Sequence, residues 1–257
     1  MQVMRETDKK LAGMAARLRL AYMRDNMEAL VNEATSAKMT PREVLEYCLG
    51  KEIDQRETNR VRLATMAAHF PRICTLESYD MDAQPALDPG IIRELKKMEW
   101  IDTGENVMFF GPPGVGKSHL AIGFGRKAIQ HGKSVRFIGA DDLATALTKA
   151  DSMGLLAEKM SQFSKPDLLI IDELGYVPFD PHATYLFFQL VCRRYEKKSM
   201  IITSNKTVLD WGRTFADPTL ATSILDRLMH HCTPVTIMGE SYRLKSNKIR
   251  SLINKTA

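Results

Sequence analysis

No apolar run in the sequence approaches the roughly 18 residues that a membrane-spanning helix needs. The first ten residues, Met-Gln-Val-Met-Arg-Glu-Thr-Asp-Lys-Lys, hold no apolar core of a secretion signal. The four cysteines, Cys48, Cys74, Cys192 and Cys232, are scattered without a C-x-x-C spacing, which argues against a disulfide framework or a zinc knuckle. A reducing cytoplasm is the expected location, with no membrane partner. There are only two tryptophans, Trp100 and Trp211, and both are expected to be buried rather than free to stack on a base. There is no internal repeat and no low-complexity tract.

Negative charge is scarce at one end. The formal net charge of +5 is concentrated in residues 193–257, which hold 12 basic and 5 acidic groups. Within them, residues 241–257 have five basic side chains (Arg243, Lys245, Lys248, Arg250, Lys255) and no acid. Such a surface suits a phosphate backbone, although on charge alone a solvated tail fits equally well.

What is present is concentrated in one stretch, Gly111-Pro112-Pro113-Gly114-Val115-Gly116-Lys117-Ser118. An apolar run, Asn106–Phe110, precedes it and reads as a buried strand; His119-Leu120-Ala121-Ile122 follows and reads as the start of a helix. This is the strand–loop–helix setting of the phosphate-binding pattern G-x-x-x-x-G-K-[ST]. Glycines let successive N–H groups curl around a phosphate, and the helix adds its positive end. Lys117 can reach the β- and γ-phosphates, and Ser118 can ligate Mg²⁺. The chain is therefore expected to bind a nucleoside triphosphate with Mg²⁺ through Gly111 to His119.

Residues 1–70 read as a small all-helical domain. Residues 8–37 are expected to be helical from the three- and four-residue spacing of Leu11, Met14, Ala15, Leu18 and Tyr22 and later of Met27, Leu30 and Val31. A second is expected from Thr40-Pro41-Arg42-Glu43, a capping box with proline at the first helical position. Residues 71–105 read as a proline-containing linker or arm, with a short helix from Pro89 to Met98 capped by Asp88. From 106 onwards, apolar strands near 106–110, 134–138, 167–172, 200–204 and 234–237 alternate with helices. That alternation indicates an α/β domain, 106–257, with a five-stranded parallel sheet between helices.

Asp172 ends an apolar strand, where a carboxylate can hold Mg²⁺ opposite the Ser118 hydroxyl. Glu173, immediately after it, points differently and can polarise a water for in-line attack on the γ-phosphate. At the end of the next strand stands Thr203-Ser204-Asn205, of which Asn205 is the first choice, and Ser204 the second, to hold that water or sense the γ-phosphate. Asn205-Lys206-Thr207-Val208 is like the guanine-reading N-K-x-D pattern, but Val208 replaces the acid, which favours adenine. His230-His231-Cys232 invites a metal reading. Adjacent residues do not easily converge on one ion, however, and no second ligand pair is evident, so no metal is expected there. Tyr185, Phe187 and Phe188 read as core packing on a helix.

The phosphate loop, the Asp-Glu pair, the strand-end Asn205 and Leu225-Asp226-Arg227-Leu228 together resemble an AAA+ ATPase. More narrowly, Asp172–Pro178, Ile224–His231 and Gly239–Lys245 resemble IstB-like proteins, ATPase helpers of insertion-sequence transposases related to DnaC-like helicase loaders. The resemblance covers about residues 70–250 strongly and the N-terminal region more loosely. It implies an ATPase that binds and bends duplex DNA with little sequence preference, activates a transposase, and works as a homo-oligomer. It also implies that Arg227 is an arginine finger acting in trans, and that Arg243 contacts bound nucleotide or, alternatively, DNA. After Arg243 there is no room for a full C-terminal helical lid. Two other readings share the same loop: a replicative helicase loader that binds single strands, and a small-molecule kinase, against which Glu173 and Arg227 both argue.

Overall fold

The computed structural model describes residues 6–81, 84, 87–239 and 241–242. The helices are α1 (Glu6–Arg17), α2 (Ala21–Asp25), α3 (Met27–Ser36), α4 (Pro41–Ala68), α5 (Pro89–Leu95), α6 (Glu99–Asp102), α7 (Lys117–Gln130), α8 (Ala140–Ser152), α9 (Leu156–Ser164), α10 (Pro181–Arg194) and α11 (Pro218–His230). The strands are β1 (Asn106–Phe110), β2 (Val135–Gly139), β3 (Leu168–Asp172), β4 (Ser199–Ser204) and β5 (Cys232–Thr236). A 3₁₀ turn covers Val208–Arg213. The chain forms two compact units, Met1–Leu63 and Ala64–Ala257.

In the first unit the stretch 8–37 is helical as expected, divided into three helices. Arg19 takes a left-handed conformation (φ 58°). The Leu20 N–H donates to the Ala15 carbonyl and the Arg19 N–H to that of Ala16, which closes α1 as a Schellman turn would, without a glycine. Folding back lets Ala15, Met27, Leu30 and Ala34 share one small core, which a straight helix would have spread along a stripe. The capping box forms: the Glu43 carboxylate accepts from the Thr40 N–H at 2.6 Å, and those bonds hold its pKa below the usual range. Glu52 is buried on α4 and accepts from the Met23 N–H and from Arg56.

The second unit is built on a five-stranded, all-parallel sheet of order β2-β3-β4-β1-β5. Strands β1, β3 and β4 are buried on both faces, which explains their nearly unbroken apolar sequence. On one face Met108, Leu169, Ile171, Met200 and Ile202 pack with α8, α10 and α11. On the other, α7 covers the sheet, with Phe109 stacked on Phe124 at 6.0 Å. Asp88, Asp180 and Asp217 each accept from a backbone N–H at the start of α5, α10 and α11, ahead of a proline. Helix α9, not expected from the sequence, follows a break at Gly154 (φ 72°). Among the described residues nothing after β5 forms a helical lid.

Arg194, at the end of α10, is fully buried and forms no ion pair among the described residues. It donates to the carbonyls of Phe163, Ser164, Pro166, Asp167 and Ser199, so one side chain closes the end of α9 and joins the entrances to β3 and β4. Burial pushes its pKa down to about 9, against the pull of Asp167. Trp100 and Trp211 are buried, with their indole N–H groups bonded to the Leu95 carbonyl and the Ser204 hydroxyl.

Candidate functional site

The loop that follows β1 is fixed by neighbours on three sides. Gly111 has φ 149°, and a Cβ there would lie 2.1 Å from the Ile237 carbonyl oxygen. Gly116 has φ 101°, and its missing side chain makes room for the Tyr79 ring, 2.6 Å from where a Cβ would stand. Any other residue at either place is both strained and obstructed. The Tyr242 N–H donates to the Gly114 carbonyl at 2.9 Å and the Tyr79 hydroxyl to the Val115 carbonyl at 3.2 Å. Lys117, the first residue of α7, is 8% exposed, and its ammonium donates to the carbonyls of Gly111 (2.7 Å) and Pro112 (2.8 Å).

The sheet order sets β4 between the loop-bearing β1 and the Asp172-bearing β3. Its register places Thr203 opposite Phe109, just short of the loop. The Thr203 hydroxyl donates to Asp172 Oδ1 at 2.6 Å and accepts from the Glu173 N–H at 2.9 Å. The Ser118 hydroxyl donates to the same Asp172 oxygen at 2.8 Å. Glu173 has φ 62°, uncommon for a residue with a side chain, and the turn is held by bonds from its own N–H and from the Leu174 N–H to Thr203. Thr203, which the sequence does not single out, thus ties both carboxylate residues to the centre of the sheet.

Beside them lies a cavity of about 470 Å³, which Asp172 and Thr203 do not themselves line. Lys117, Ser118, Glu173 and Asn205 line it together with Pro113, Gly114 and Gly116. Asn205 is exposed at the mouth of β4. The Ser204 hydroxyl is spent elsewhere: it donates to the Leu174 carbonyl and accepts from Lys206 N–H and Trp211 Nε1. Ser204 therefore has no hydroxyl left for a water, and Asn205 is the strand-end group that faces the cavity.

The cavity's other wall comes from residues to which the sequence assigned no role: Arg72, Ser78, Tyr79 and Asp80, with Tyr176 and Tyr242 from two of the motifs that carry the resemblance. His119 Nε2 lies 3.0 Å from the Ser78 hydroxyl and 2.9 Å from the Thr75 carbonyl, so it fastens this segment to α7. The Tyr79 ring meets His119 and Tyr242 edge-on, and burial pushes its phenol above the usual range. The Tyr242 hydroxyl donates to the Asp80 carbonyl, joining segments that lie 162 residues apart in sequence. Arg227 is not among the lining residues; on α11 it donates to the Ser223 carbonyl and lies 5.2 Å from the Phe188 ring centre. Arg243 lies outside the described residues.

The Ser118–Asp172 pair is a fit for Mg²⁺. Both donors are hard oxygens, and ligands at about 2.0–2.1 Å on an octahedral ion stand about 2.9 Å apart, close to the 2.8 Å between them. No described helix is long and apolar enough to cross a membrane.

Comparison with known proteins gives the family and the fold. The chain is 40% identical over 246 residues to the ATP-binding protein of insertion sequence IS21 from Pseudomonas aeruginosa, covering 96% of this chain and 93% of that one. It is also 40% identical over 234 residues to the ATP-binding protein of IS5376 from Geobacillus stearothermophilus, with coverage of 91% and 93%. Among solved structures, the fold is like that of the DnaC helicase loader (TM-score 0.52, 20% identity, 64% of this chain and 96% of that one). It is also like DnaI (TM-score 0.54, 20% identity, 67% and 94%). The IstB-like ATP binding protein pattern matches residues 13–250, and the chain belongs to that family of AAA+ fold.

Proposed function

We propose that the protein is an ATPase that assembles on target duplex DNA, deforms it and activates a transposase, hydrolysing ATP at sites shared between subunits. The observation that carries the hydrolytic part is the pairing of Glu173 and Asn205 on one cavity with Lys117 and Ser118, with both carboxylate residues tied to Thr203. Lys117 turns from the loop carbonyls to the β- and γ-phosphates. Ser118 and Asp172 hold Mg²⁺, which supplies charge neutralisation at the phosphates. Glu173 takes the proton of the attacking water, and Asn205 orients that water. Gly111 to His119 cradle the phosphates.

Arg227 completes the site of a neighbouring subunit, a role supported by its place on α11 outside its own cavity. An arginine supplied in this way is worth about 10³–10⁵ in rate. Arg243 contacts the nucleotide or DNA. Duplex DNA meets the surplus of positive charge in residues 193–257, with little sequence preference because phosphates carry the binding. Residues 1–70 bind DNA, the transposase or one another, 71–105 act as an arm, and 106–257 form the ATPase with its basic tail. The cytoplasm is the proposed place of action, in keeping with four free cysteines. The insertion-sequence relatives support the transposase as partner over a helicase.

Glu173→Gln tests the reading. It should bind ATP with unchanged affinity, stop turnover and leave ATP-dependent complexes on duplex DNA that persist in a gel-shift assay. Hydrolysis at the wild-type rate would refute the role of Glu173.

A further inference from the structure

The His230-His231 pair takes no part in the nucleotide site, and the sequence alone gives it no third ligand. The structure supplies one. Glu196 follows α10 three residues before β4 begins, and His231 immediately precedes β5. Because β4 and β5 flank β1 in a parallel sheet, both junctions fall at the end of the sheet where the strands begin, opposite the end that carries the nucleotide loop. The Glu196 carboxylate and the two imidazoles present ligand atoms that all lie within 4.8 Å of one another.

The distances distinguish two explanations. Glu196 Oε1 is 3.6 Å from His230 Nδ1 and 3.4 Å from His231 Nε2. Both are longer than the 2.7–3.2 Å of an N–H···O hydrogen bond. Ligands bound to a tetrahedral Zn²⁺ at about 2.0–2.1 Å stand about 3.3 Å apart, near the observed spacing. The Tyr195 hydroxyl is 2.7 Å from His230 Nδ1. A ring nitrogen has a single lone pair, so an ion at Nδ1 takes the place of any hydrogen bond from this hydroxyl, whose oxygen then stands beside the position of a fourth ligand. The side chains are 50–53% exposed, so an ion has a path in and an open coordination position.

The backbones beneath these ligands are pinned. Glu196 sits in a left-handed turn (φ 57°) whose following N–H groups, of Lys197 and Lys198, both donate to the carbonyl of the buried Arg194. Gly104, at φ 76°, packs against the Glu196 carbonyl carbon, 3.1 Å from where a Cβ would be. The His231 carbonyl accepts from the Asn106 N–H at 2.8 Å at the start of β1. Convergence of two nitrogens and one carboxylate on a fixed frame is the donor set of a borderline first-row cation.

We propose that Glu196, His230 and His231 bind a divalent transition-metal ion of the Zn²⁺ class, with water or Tyr195 as the fourth ligand. This site is independent of the ATP site. Bound there, the ion clamps the C-terminal end of α11, one turn beyond Arg227, to the α10–β4 turn.

The test is a titration of tag-free, full-length protein with Co²⁺, with excess Mg²⁺ present to occupy the Ser118–Asp172 site. One Co²⁺ per chain should bind and give the visible absorption of a tetrahedral N/O site without a thiolate charge-transfer band, and Zn²⁺ should displace it. His231→Ala and Glu196→Gln should each weaken Co²⁺ binding by more than about tenfold. Both variants should keep the wild-type affinity for ATP, which shows that they are folded. Absence of saturable binding would overturn the proposal, because the cluster would then be only a carboxylate between imidazoles. A thiolate band, or binding that both variants leave unchanged, would overturn it too by placing the ion elsewhere.

Discussion

Thr203→Val removes one hydroxyl and leaves the shape of β4 almost unchanged. In the native protein that hydroxyl donates to Asp172 at 2.6 Å and accepts from the Glu173 N–H at 2.9 Å, and the residue is fully buried. A hydrogen bond to a charged group contributes about 1.5–3 kcal/mol and a neutral one about 0.5–1.5. Valine therefore costs about 2–4 kcal/mol, since the Glu173 N–H also loses its partner in a place with little water. Part of this appears as a lower free energy of unfolding, measured by urea titration. The remainder appears in turnover, because Asp172 and Glu173 are no longer held relative to Ser118. If about 1.5–2 kcal/mol serves that positioning, kcat falls by about ten- to thirtyfold. Steady-state phosphate release at saturating Mg-ATP reads this, and a fluorescent nucleotide checks that affinity changes much less. Thr203→Ser keeps the hydroxyl and should retain most of the rate. A Thr203→Val protein that unfolds at the wild-type urea concentration and turns over at the wild-type rate would refute the reasoning.

Two further outcomes follow from the same structure. Lys117→Ala should abolish ATP binding in an equilibrium assay, and mixing it with inactive Arg227→Ala should restore part of the phosphate release; no recovery at any ratio would count against a finger acting in trans. Arg194→Met leaves five carbonyls without their shared donor and should lower the unfolding free energy by more than about 3 kcal/mol; a change below about 1 kcal/mol would show that the buried guanidinium is not what joins α9 to the sheet.

Much of the site is legible in the sequence because its chemistry needs neighbouring residues. A phosphate loop is contiguous by necessity, and a carboxylate pair at the end of an apolar strand marks itself. The parallel sheet is legible for a related reason, since strands buried on both faces are apolar throughout. What escapes is whatever depends on register or on distant chain segments. Thr203 reads as an ordinary β-branched strand residue until sheet order places its hydroxyl against Asp172 and the Glu173 N–H. Tyr79 and Tyr242 belong to segments without a regular pattern, and only folding brings them together over the loop. The break at Arg19 is illegible because the left-handed turn there is made by an arginine, where glycine would have announced it. Glu196 meets His230 and His231 only because two strand entrances lie at the same end of the parallel sheet.

ATP turnover and assembly on duplex DNA are proposed to be one process, and phosphate release and particle mass measured together test that coupling. Wild-type protein with ATP and duplex DNA should form large particles and release phosphate faster than with either ligand alone. A protein that stays a monomer and hydrolyses ATP at the same rate with and without duplex DNA would contradict it.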